Sequence, residues 1–221
     1  RLYLLENRDG QLRVAQHFYA GIGRKGFGKQ VEGDLRTPIG IYRVTGFMGD
    51  QELPELYGAG AFPLNYPNAL DREKKRTGSG IWIHGVPRDT YVRAPRSSEG
   101  CVTVANDDLL ALKPFLRSGL TPVILSDRVQ WLSAAAALTQ RTEFLRVLEA
   151  WRADWSSRDT DKYLSHYASD FRSGLSHGAS ALTSNQNVDV AADFGSSSHG
   201  VQCGRSQHFV VVFGDYQDSH D

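Results

Sequence analysis

A histidine and a cysteine are the residues of this 221-residue sequence best suited to covalent chemistry. His84 ends a short apolar run, and Cys101 closes the segment Ser98-Glu99-Gly100-Cys101. An imidazole can take the proton of a thiol and leave the sulfur as a nucleophile. The loop between them closes at modest entropic cost, so adjacent strands can bring the two side chains together. The pair therefore predicts nucleophilic catalysis if the surrounding elements supply the geometry.

The glycine before the cysteine strengthens this prediction. Gly100 permits a sharp turn that residues with a side chain avoid. In such a turn the amides of Gly100 and Cys101 point at one spot, and we predict that they bind the oxyanion of an acyl-transfer intermediate. Without this context, a single cysteine is more often a buried core residue and a single histidine a hydrogen-bonded polar group.

Other chemical motifs in the sequence fail on their context. Gly21, Gly23 and Gly26 match the spacing of a dinucleotide fingerprint, but that motif must open a helix, and the glycines and proline that follow prevent one. A zinc site built from the residues His199, Cys203 and His208 lacks a fourth ligand. We therefore predict no metal and no cofactor.

Short apolar segments predict the strands that would hold the pair. The first two form a hairpin around Asp9-Gly10, and the others are single strands: residues 2–5, 12–19, 41–45, 81–83 and 122–125. Residues 46–80 are expected to be irregular, with the charged residues 71–76 in a solvated loop.

One helix is expected directly after the cysteine segment. Asn106 is a suitable N-cap, and Gly119 a suitable stop. The buried face of this helix is predicted to carry Leu109, Leu112 and Leu116.

Composition excludes two classes of partner. Lys and Arg number 25 in total, and so do Asp and Glu, so the net charge predicts no nucleic-acid partner. No apolar run approaches the ~20 residues that cross a bilayer, which predicts no integral membrane segment. Because the chain begins at Arg1, we expect that any signal peptide has been removed or lies outside this numbering.

The pattern changes to a helical period after Ser126. Two helices are predicted to pair through apolar faces, made by Phe144, Val147, Leu148, Trp151 and Trp155 in the first and by Tyr163, Leu164, Tyr167 and Phe171 in the second. Residues 172–207 are rich in Ser and Gly and poor in large apolar side chains, and residues 208–213 are predicted to form a strand.

Several segments of residues 1–126 resemble, in the right order, the L,D-transpeptidase family with the YkuD-type fold. The hallmark of that family is a His-Gly pair at a strand end followed by Ser-x-Gly-Cys, and here these are His84-Gly85 and Ser98-Glu99-Gly100-Cys101. Further segments that match are residues 33–34, 37–42, 64–68 and 78–85. Residues 142–173 resemble the start of the NTF2-like domain found in a subset of envelope carboxypeptidases.

The resemblance implies an α+β chain of two parts. The first is a mainly β catalytic domain of two packed sheets with a helix beside the cysteine loop, at residues 1–127. A linker at 128–141 leads to a helix-rich NTF2-like segment at 142–221, which is short for such a domain and partly of low complexity. Whether this half is truncated, divergent or partly disordered stays open.

The resemblance also implies acyl transfer on peptidoglycan stem peptides, without a cofactor. Cys101 would attack the carbonyl of the third stem residue, usually meso-diaminopimelate, and expel the terminal D-Ala, leaving a thioester. His84 would act as base and then as acid, oriented by the carbonyl of Gly85, while the amides of Gly100 and Cys101 would bind the oxyanion. An amine acceptor would make the enzyme a transpeptidase and water an L,D-carboxypeptidase, and both stay open with a tilt towards hydrolysis.

One departure from the family concerns the substrate. Many members carry Arg two residues after the cysteine, where this chain has Thr103. The substrate carboxylate is then expected to meet an arginine of the preceding loop, although solvated loop arginines are an equal alternative. The predicted substrate-binding residues are Ser98, Thr37, Tyr66, Trp82, Arg88, Arg93 and Arg96, with a core role an equal alternative for the tryptophan.

Such a substrate implies the periplasm or cell envelope, and the C-terminal segment is a candidate surface for an envelope protein partner. In that compartment we expect Cys203 to be unpaired or partly disordered, because a disulfide to Cys101 would abolish activity. The competing hypothesis is a catalytically silent envelope protein that binds a partner or glycan.

Overall fold

The computed structural model describes residues 1–8, 11–169, 171 and 208–213. The strands of this part of the chain are β1 (Leu2–Arg8), β2 (Gln11–Phe18), β3 (Ile22–Gly23), β4 (Gly40–Arg43), β5 (Met48–Gly49), β6 (Gly60–Pro63), β7 (Trp82–His84), β8 (Arg96–Ser98), β9 (Val102–Thr103), β10 (Pro122–Ser126) and β11 (His208–Phe213). The α-helices are α1 (Ala69–Glu73), α2 (Asn106–Leu112), α3 (Ala134–Ser157) and α4 (Thr160–Ser165). Short 3-10 turns lie at Asp50–Glu52, Glu55–Tyr57 and Lys113–Phe115.

The described residues form two compact units. The first contains Arg1–Val129 together with β11, and the second is helical and begins at Gln130. The mainly β first part followed by helices confirms the predicted fold class. The predicted limits at residues 127 and 142 stay predictions, and α3 begins inside the range expected to be a linker.

Three sheets make up the first unit. The five-stranded sheet has the order β2-β1-β11-β10-β4, the four-stranded sheet has the order β5-β6-β7-β9, and β3 pairs with β8. Leucines and valines from the five-stranded sheet share one buried cluster with side chains of the four-stranded sheet, including Phe62, Ile83 and Val102. Leu109 and Leu112 of α2 complete this core, as the leucine spacing predicted. The two larger sheets thus pack face to face, and this packing fixes the positions of β7 and β9.

The hairpin predicted at the start of the chain is confirmed by the antiparallel pairing of β1 with β2. Its turn residues, Asp9 and Gly10, lie outside the described residues. The strands expected at residues 41–45, 81–83 and 122–125 correspond to β4, β7 and β10.

The last strand lies inside the first sheet. β11 runs antiparallel to β1 and parallel to β10. Its valines alternate between two clusters, with Val210 and Val212 in the main core and Val211 in a smaller cluster on the other face of the sheet. A strand covered on both faces is expected to be an unbroken apolar run, and this is how residues 209–213 read.

The prediction that residues 46–80 are irregular is wrong, because this segment contains β5, two 3-10 turns, β6 and α1. β6 is too short and too rich in Gly and Pro to show a period, and α1 begins at the cap Asn68, whose Oδ1 accepts from the Asp71 N–H at 3.0 Å. Asp71 is not solvated, because it is 1% exposed and pairs with Arg76 at 2.8 Å. A charged run whose first carboxylate caps a helix cannot be told from a solvated one by composition.

The helix after the cysteine is shorter than predicted. α2 ends at Leu112, and a 3-10 turn follows because Pro114 lacks the N–H that would continue the α-helical ladder. Its N-cap is Ala105 rather than Asn106. The side chain of Asn106 is engaged elsewhere, as described below.

The helical unit confirms the predicted pairing of its two helices. Asp159 caps α4, and aromatic side chains join the helices: Trp151 Nε1 donates to Tyr167 Oη at 3.0 Å, and the rings of Trp155 and Tyr163 meet edge to face. Among the described residues nothing else covers the apolar face of α3, and Phe144 is 67% exposed. No helix among the described residues is long and apolar enough to cross a membrane.

Candidate active site

β7 and β9 bring the histidine and the cysteine to one cavity. The two strands are parallel neighbours, with His84 paired to Thr103. Cys101 lies two residues before Thr103, and because side chains alternate along an extended chain, it points to the same face as His84. Both residues line a cavity of about 580 Å³. The structure therefore brings together the two residues that the spacing singled out.

His84 is held in one orientation. Its side chain is 3% exposed, and Nδ1 lies 2.6 Å from the carbonyl oxygen of Gly85. A carbonyl only accepts, so Nδ1 carries the proton and Nε2 is left as the basic nitrogen. Burial lowers the pKa of His84 to about 4, and the charge of Arg93 adds to this, against the opposing effect of the Gly85 carbonyl. The imidazole is therefore neutral at neutral pH.

Cys101 is a protonated thiol at rest. Its half-buried Sγ donates to the carbonyl oxygen of Gly80 at 3.3 Å. Burial raises the pKa of Cys101 and Glu99 raises it further, while the Trp82 amide and the charge of Lys29 act in the opposite direction. A neutral thiol and a neutral imidazole that line one cavity suit general-base activation, in which sulfur loses its proton as it attacks.

Two hydroxyl groups hold the turn that presents Cys101. Gly100 has a φ of +139°, and its carbonyl accepts from Thr37 Oγ1 at 2.9 Å. Ser98 Oγ donates to the Cys101 carbonyl at 2.6 Å and accepts from the Gly100 N–H at 3.1 Å. The Gly100 amide is thus not free to bind an oxyanion, contrary to the expectation from sequence. A buried hydroxyl needs partners, and the turn supplies them locally.

Only two of the predicted substrate-binding residues line this cavity, Ser98 and Arg93. Arg88 pairs instead with Asp50 at 2.5 Å and with Glu55 at 3.5 Å. Arg96 lines a different cavity, of about 920 Å³.

The other three predicted residues have structural contacts. Thr37 is fully buried, and besides supporting Gly100 it accepts from the Gly23 N–H at 2.9 Å. Tyr66 is 5% exposed and donates to the Thr77 carbonyl, and Trp82 packs its ring against Tyr57. Thr37 therefore supports the turn that presents Cys101 and does not line the cavity.

The cavity contains charged and aromatic residues that sequence reasoning missed. Lys29 is 4% exposed and pairs with Asp34 at 3.0 Å, and Tyr57 meets the ring of His84 edge-on at a centroid distance of 4.9 Å. Arg24 pairs loosely with Glu99 at 3.7 Å. Lys29 could not be singled out from the sequence, because this residue lies in the glycine-rich segment, which shows no periodic pattern.

Thr103, two residues after the cysteine, is enclosed by its neighbours. Its side chain is 1% exposed, and its backbone pairs with both His84 and Gly21. A Cβ on Gly21 would approach Thr103 Oγ1 to 2.4 Å, so the glycine at residue 21 leaves the space that the Thr103 side chain occupies.

Within the part of the chain that the structure describes, no group of three or more His, Cys, Asp or Glu side chains could hold a metal ion. Two of the zinc candidates weighed from sequence, His199 and Cys203, lie outside the described residues, and so does the prediction that Cys203 is unpaired.

Residues 1–125 match the model of the YkuD L,D-transpeptidase catalytic domain, and residues 143–188 match that of the Cds6 C-terminal NTF2-like domain. The first match covers more than half of the chain. The chain therefore belongs to the YkuD L,D-transpeptidase family, a family of enzymes that modify peptidoglycan, and the resemblance drawn from the sequence is confirmed.

The solved structures similar to this chain include one from Bdellovibrio bacteriovorus and one from Campylobacter jejuni. Bd1075 from Bdellovibrio bacteriovorus is 33% identical with a TM-score of 0.71, and the match covers 83% of this chain and 64% of that one. The helical cell shape determining protein Pgp2 from Campylobacter jejuni is 28% identical with a TM-score of 0.60, over 80% of this chain and 60% of that one. The chain thus spans less than two thirds of the length of either structure. No curated protein matches it.

Proposed function

We propose that the protein cleaves the bond between diaminopimelate and the terminal D-Ala of peptidoglycan tetrapeptide stems, through a thioester on Cys101. One observation carries this proposal: Cys101 and the fixed imidazole of His84 line the same cavity. A scaffold protein does not need a buried histidine whose unprotonated Nε2 belongs to a ring that shares a cavity with a thiol.

The first half of the proposed reaction forms the thioester. Sγ attacks the carbonyl carbon of the third stem residue as its proton passes to Nε2 of His84. Of the two amides predicted for the oxyanion, that of Cys101 remains the candidate donor, because Ser98 engages that of Gly100. The tetrahedral intermediate then breaks its bond to the D-Ala nitrogen, which leaves as an amine with the proton from His84.

The second half of the proposed reaction releases the acyl group. Water or a second amine attacks the thioester carbonyl and gives a proton to His84, and the carbon–sulfur bond then breaks. The sulfur takes the proton back, which restores the neutral pair. We place hydrolysis ahead of transfer, because no arginine follows the cysteine at residue 103 and an NTF2-like match follows the catalytic domain.

Cations in the cavity favour an anionic substrate. Arg93 lines the cavity and is close enough to lower the pKa of His84, so we assign it to the carboxylate of the departing D-Ala. Such a carboxylate matches the planar guanidinium in geometry.

A carbapenem tests the nucleophile, because its strained amide acylates an activated cysteine. Intact-protein mass spectrometry should show one added mass on the wild-type protein and none on Cys101→Ala. Equal labelling of both proteins, or none on either, would leave the catalytically silent envelope protein as the better hypothesis.

Purified muropeptides test the reaction type. Incubation with tetrapeptides should give tripeptides without cross-linked dimers, since we favour water as the acceptor. Dimers would show transpeptidation instead, and unchanged tetrapeptide in the presence of a carbapenem-reactive cysteine would point to another stem as substrate.

The substrate places the proposed activity in the cell envelope. Pgp2 is named as a determinant of helical cell shape, and we extend such a role to this chain as part of the proposal. The envelope partner suggested for the C-terminal segment stays a prediction. Deletion of the protein should change both the tripeptide content of the wall and the cell outline.

A further inference from the structure

The side chain of Asn106 binds the loop that follows the histidine. Asn106 is the first residue of α2, yet its Oδ1 accepts from the Ala59 N–H at 2.8 Å and from the Val86 N–H at 3.2 Å. Its Nδ2 donates to the Val86 carbonyl at 2.8 Å. These bonds join parts of the chain separated by 47 and 20 residues. One amide thus fastens two loops to the helix.

One of these bonds fixes the carbonyl that orients His84. The Val86 N–H and the Gly85 carbonyl belong to the same peptide unit, which is planar and trans, so its N–H and its C=O point in opposite directions. Asn106 holds the N–H edge, and the carbonyl on the opposite edge faces Nδ1 of His84 at 2.6 Å. The preceding peptide is fixed as well, since the Gly85 N–H donates to the Gly60 carbonyl at 3.1 Å.

Two glycines leave the space that Asn106 needs. A Cβ on Gly85 would lie 2.2 Å from Asn106 Oδ1, and one on Gly58 would lie 2.1 Å from the same atom. Gly58 also has a φ of +57°, which a side chain disfavours. Both loops therefore carry no side chain where the amide lies against them.

We infer that Asn106 is a positioning residue for the reaction: by holding the Gly85 peptide it selects the His84 tautomer whose Nε2 is free to act as base. The inference rests on the proposed function for its catalytic consequence. Without the amide, the Gly85 peptide can rotate and the imidazole can place its proton on either nitrogen. A misplacement of this kind, away from the reacting atoms, lowers rates by about 100-fold.

Two variants and a matched control separate positioning from folding. Asn106→Ala removes all three bonds, whereas Asn106→Asp keeps an acceptor for both N–H groups but replaces the donor with a carboxylate oxygen that faces the Val86 carbonyl. Asp107→Ala changes the next residue of the same helix turn and touches none of the three bonds. Thermal unfolding of each variant shows whether the fold is kept.

The main readout is the tautomer of His84, measured by NMR on protein with 15N-labelled histidine at pH 8. The wild type, Asp107→Ala and Asn106→Asp should show a single tautomer with the proton on Nδ1, and Asn106→Ala should show both. The rate of carbapenem labelling should fall about 10- to 100-fold in Asn106→Ala, recover at least in part in Asn106→Asp, and stay unchanged in Asp107→Ala.

A single tautomer in Asn106→Ala would overturn the inference. So would two tautomers together with slow labelling in Asn106→Asp, which keeps the acceptor for the Val86 N–H. This second criterion needs no comparison with Asn106→Ala, so it still applies if that variant does not fold. Failure of the proposed function gives a different result: the wild type would take no carbapenem, while its His84 spectrum would still report the tautomer.

Discussion

The two units of this chain contain similar kinds of residue, but the first unit encloses them and the helical unit exposes them. In the first unit leucines, a lysine–carboxylate pair and serine hydroxyls lie inside the packing, where each is enclosed by neighbours. In the helical unit the same kinds of residue lie on open helix surfaces, and α3 has no buried residue. The difference shows that residue type alone does not set the energetic role of a side chain; its enclosure does. Matched substitutions in the two units measure this difference.

The largest difference is expected for core apolar side chains. Leu109 is fully buried between α2 and the sheets, so Leu109→Ala should lower the free energy of unfolding by about 2–5 kcal/mol. Phe144 is 67% exposed, so Phe144→Ala should change it by less than about 0.5 kcal/mol. Urea denaturation followed by circular dichroism measures both. Similar losses in the two variants would mean that α3 is covered in solution.

The next effect comes from the buried imidazole. Because the pKa of His84 is lowered from 6.5 to about 4, the unfolded chain binds a proton between these pH values and the folded protein does not. The free energy of unfolding should therefore fall as the pH drops from 6.5 to 4, by about 3 kcal/mol in total. Urea titrations across this range should show the slope in the wild type and lose it in His84→Gln. An equal slope in both proteins would assign the acid sensitivity to other groups.

A smaller effect is expected for the ion pairs. Lys29 is enclosed beside Asp34, and Lys29→Met should lower the free energy of unfolding by about 2 kcal/mol, because it removes a charged hydrogen bond from a carboxylate that keeps its amide donors. Arg152 forms an exposed pair with Glu149, so Arg152→Met should have no measurable effect. Equal urea midpoints for Lys29→Met and Arg152→Met would contradict the prediction that the enclosed ion pair stabilises the fold more than the exposed pair does.

The smallest effect on stability, and a larger one on activity, is expected for the serines. Ser98→Ala leaves the Gly100 N–H and the Cys101 carbonyl without their hydroxyl partner and should cost about 1–2 kcal/mol. The cysteine turn loosens, so the rate of carbapenem labelling should fall about tenfold or more. Ser156→Ala in α3 removes only an exposed bond to the Arg152 carbonyl and should leave both quantities unchanged. Normal labelling of Ser98→Ala would mean that Thr37 alone holds the turn.

The elements nearest the site were predictable from local patterns. The run that ends at His84, the glycine before Cys101 and the leucines of α2 each produce the element that their spacing indicated. The pattern was insufficient where a residue serves a partner distant in sequence. Asn106 has the composition of a helix cap but binds two loops instead, and Asp71 belongs to a charged run but is buried.

The sequence by itself determined the family and singled out Cys101 and His84 as the proposed nucleophile and base, because these depend on residue types at short spacings and on motifs in a fixed order. Only the tertiary structure decided which groups support them: Ser98 occupies the Gly100 amide, Lys29 joins the cavity, and β11 lies between β1 and β10. Each of these depends on which buried polar group or sheet edge meets which partner. Packing between segments that are distant in sequence decides these contacts. Such contacts produce no periodic pattern and no fixed spacing in the sequence.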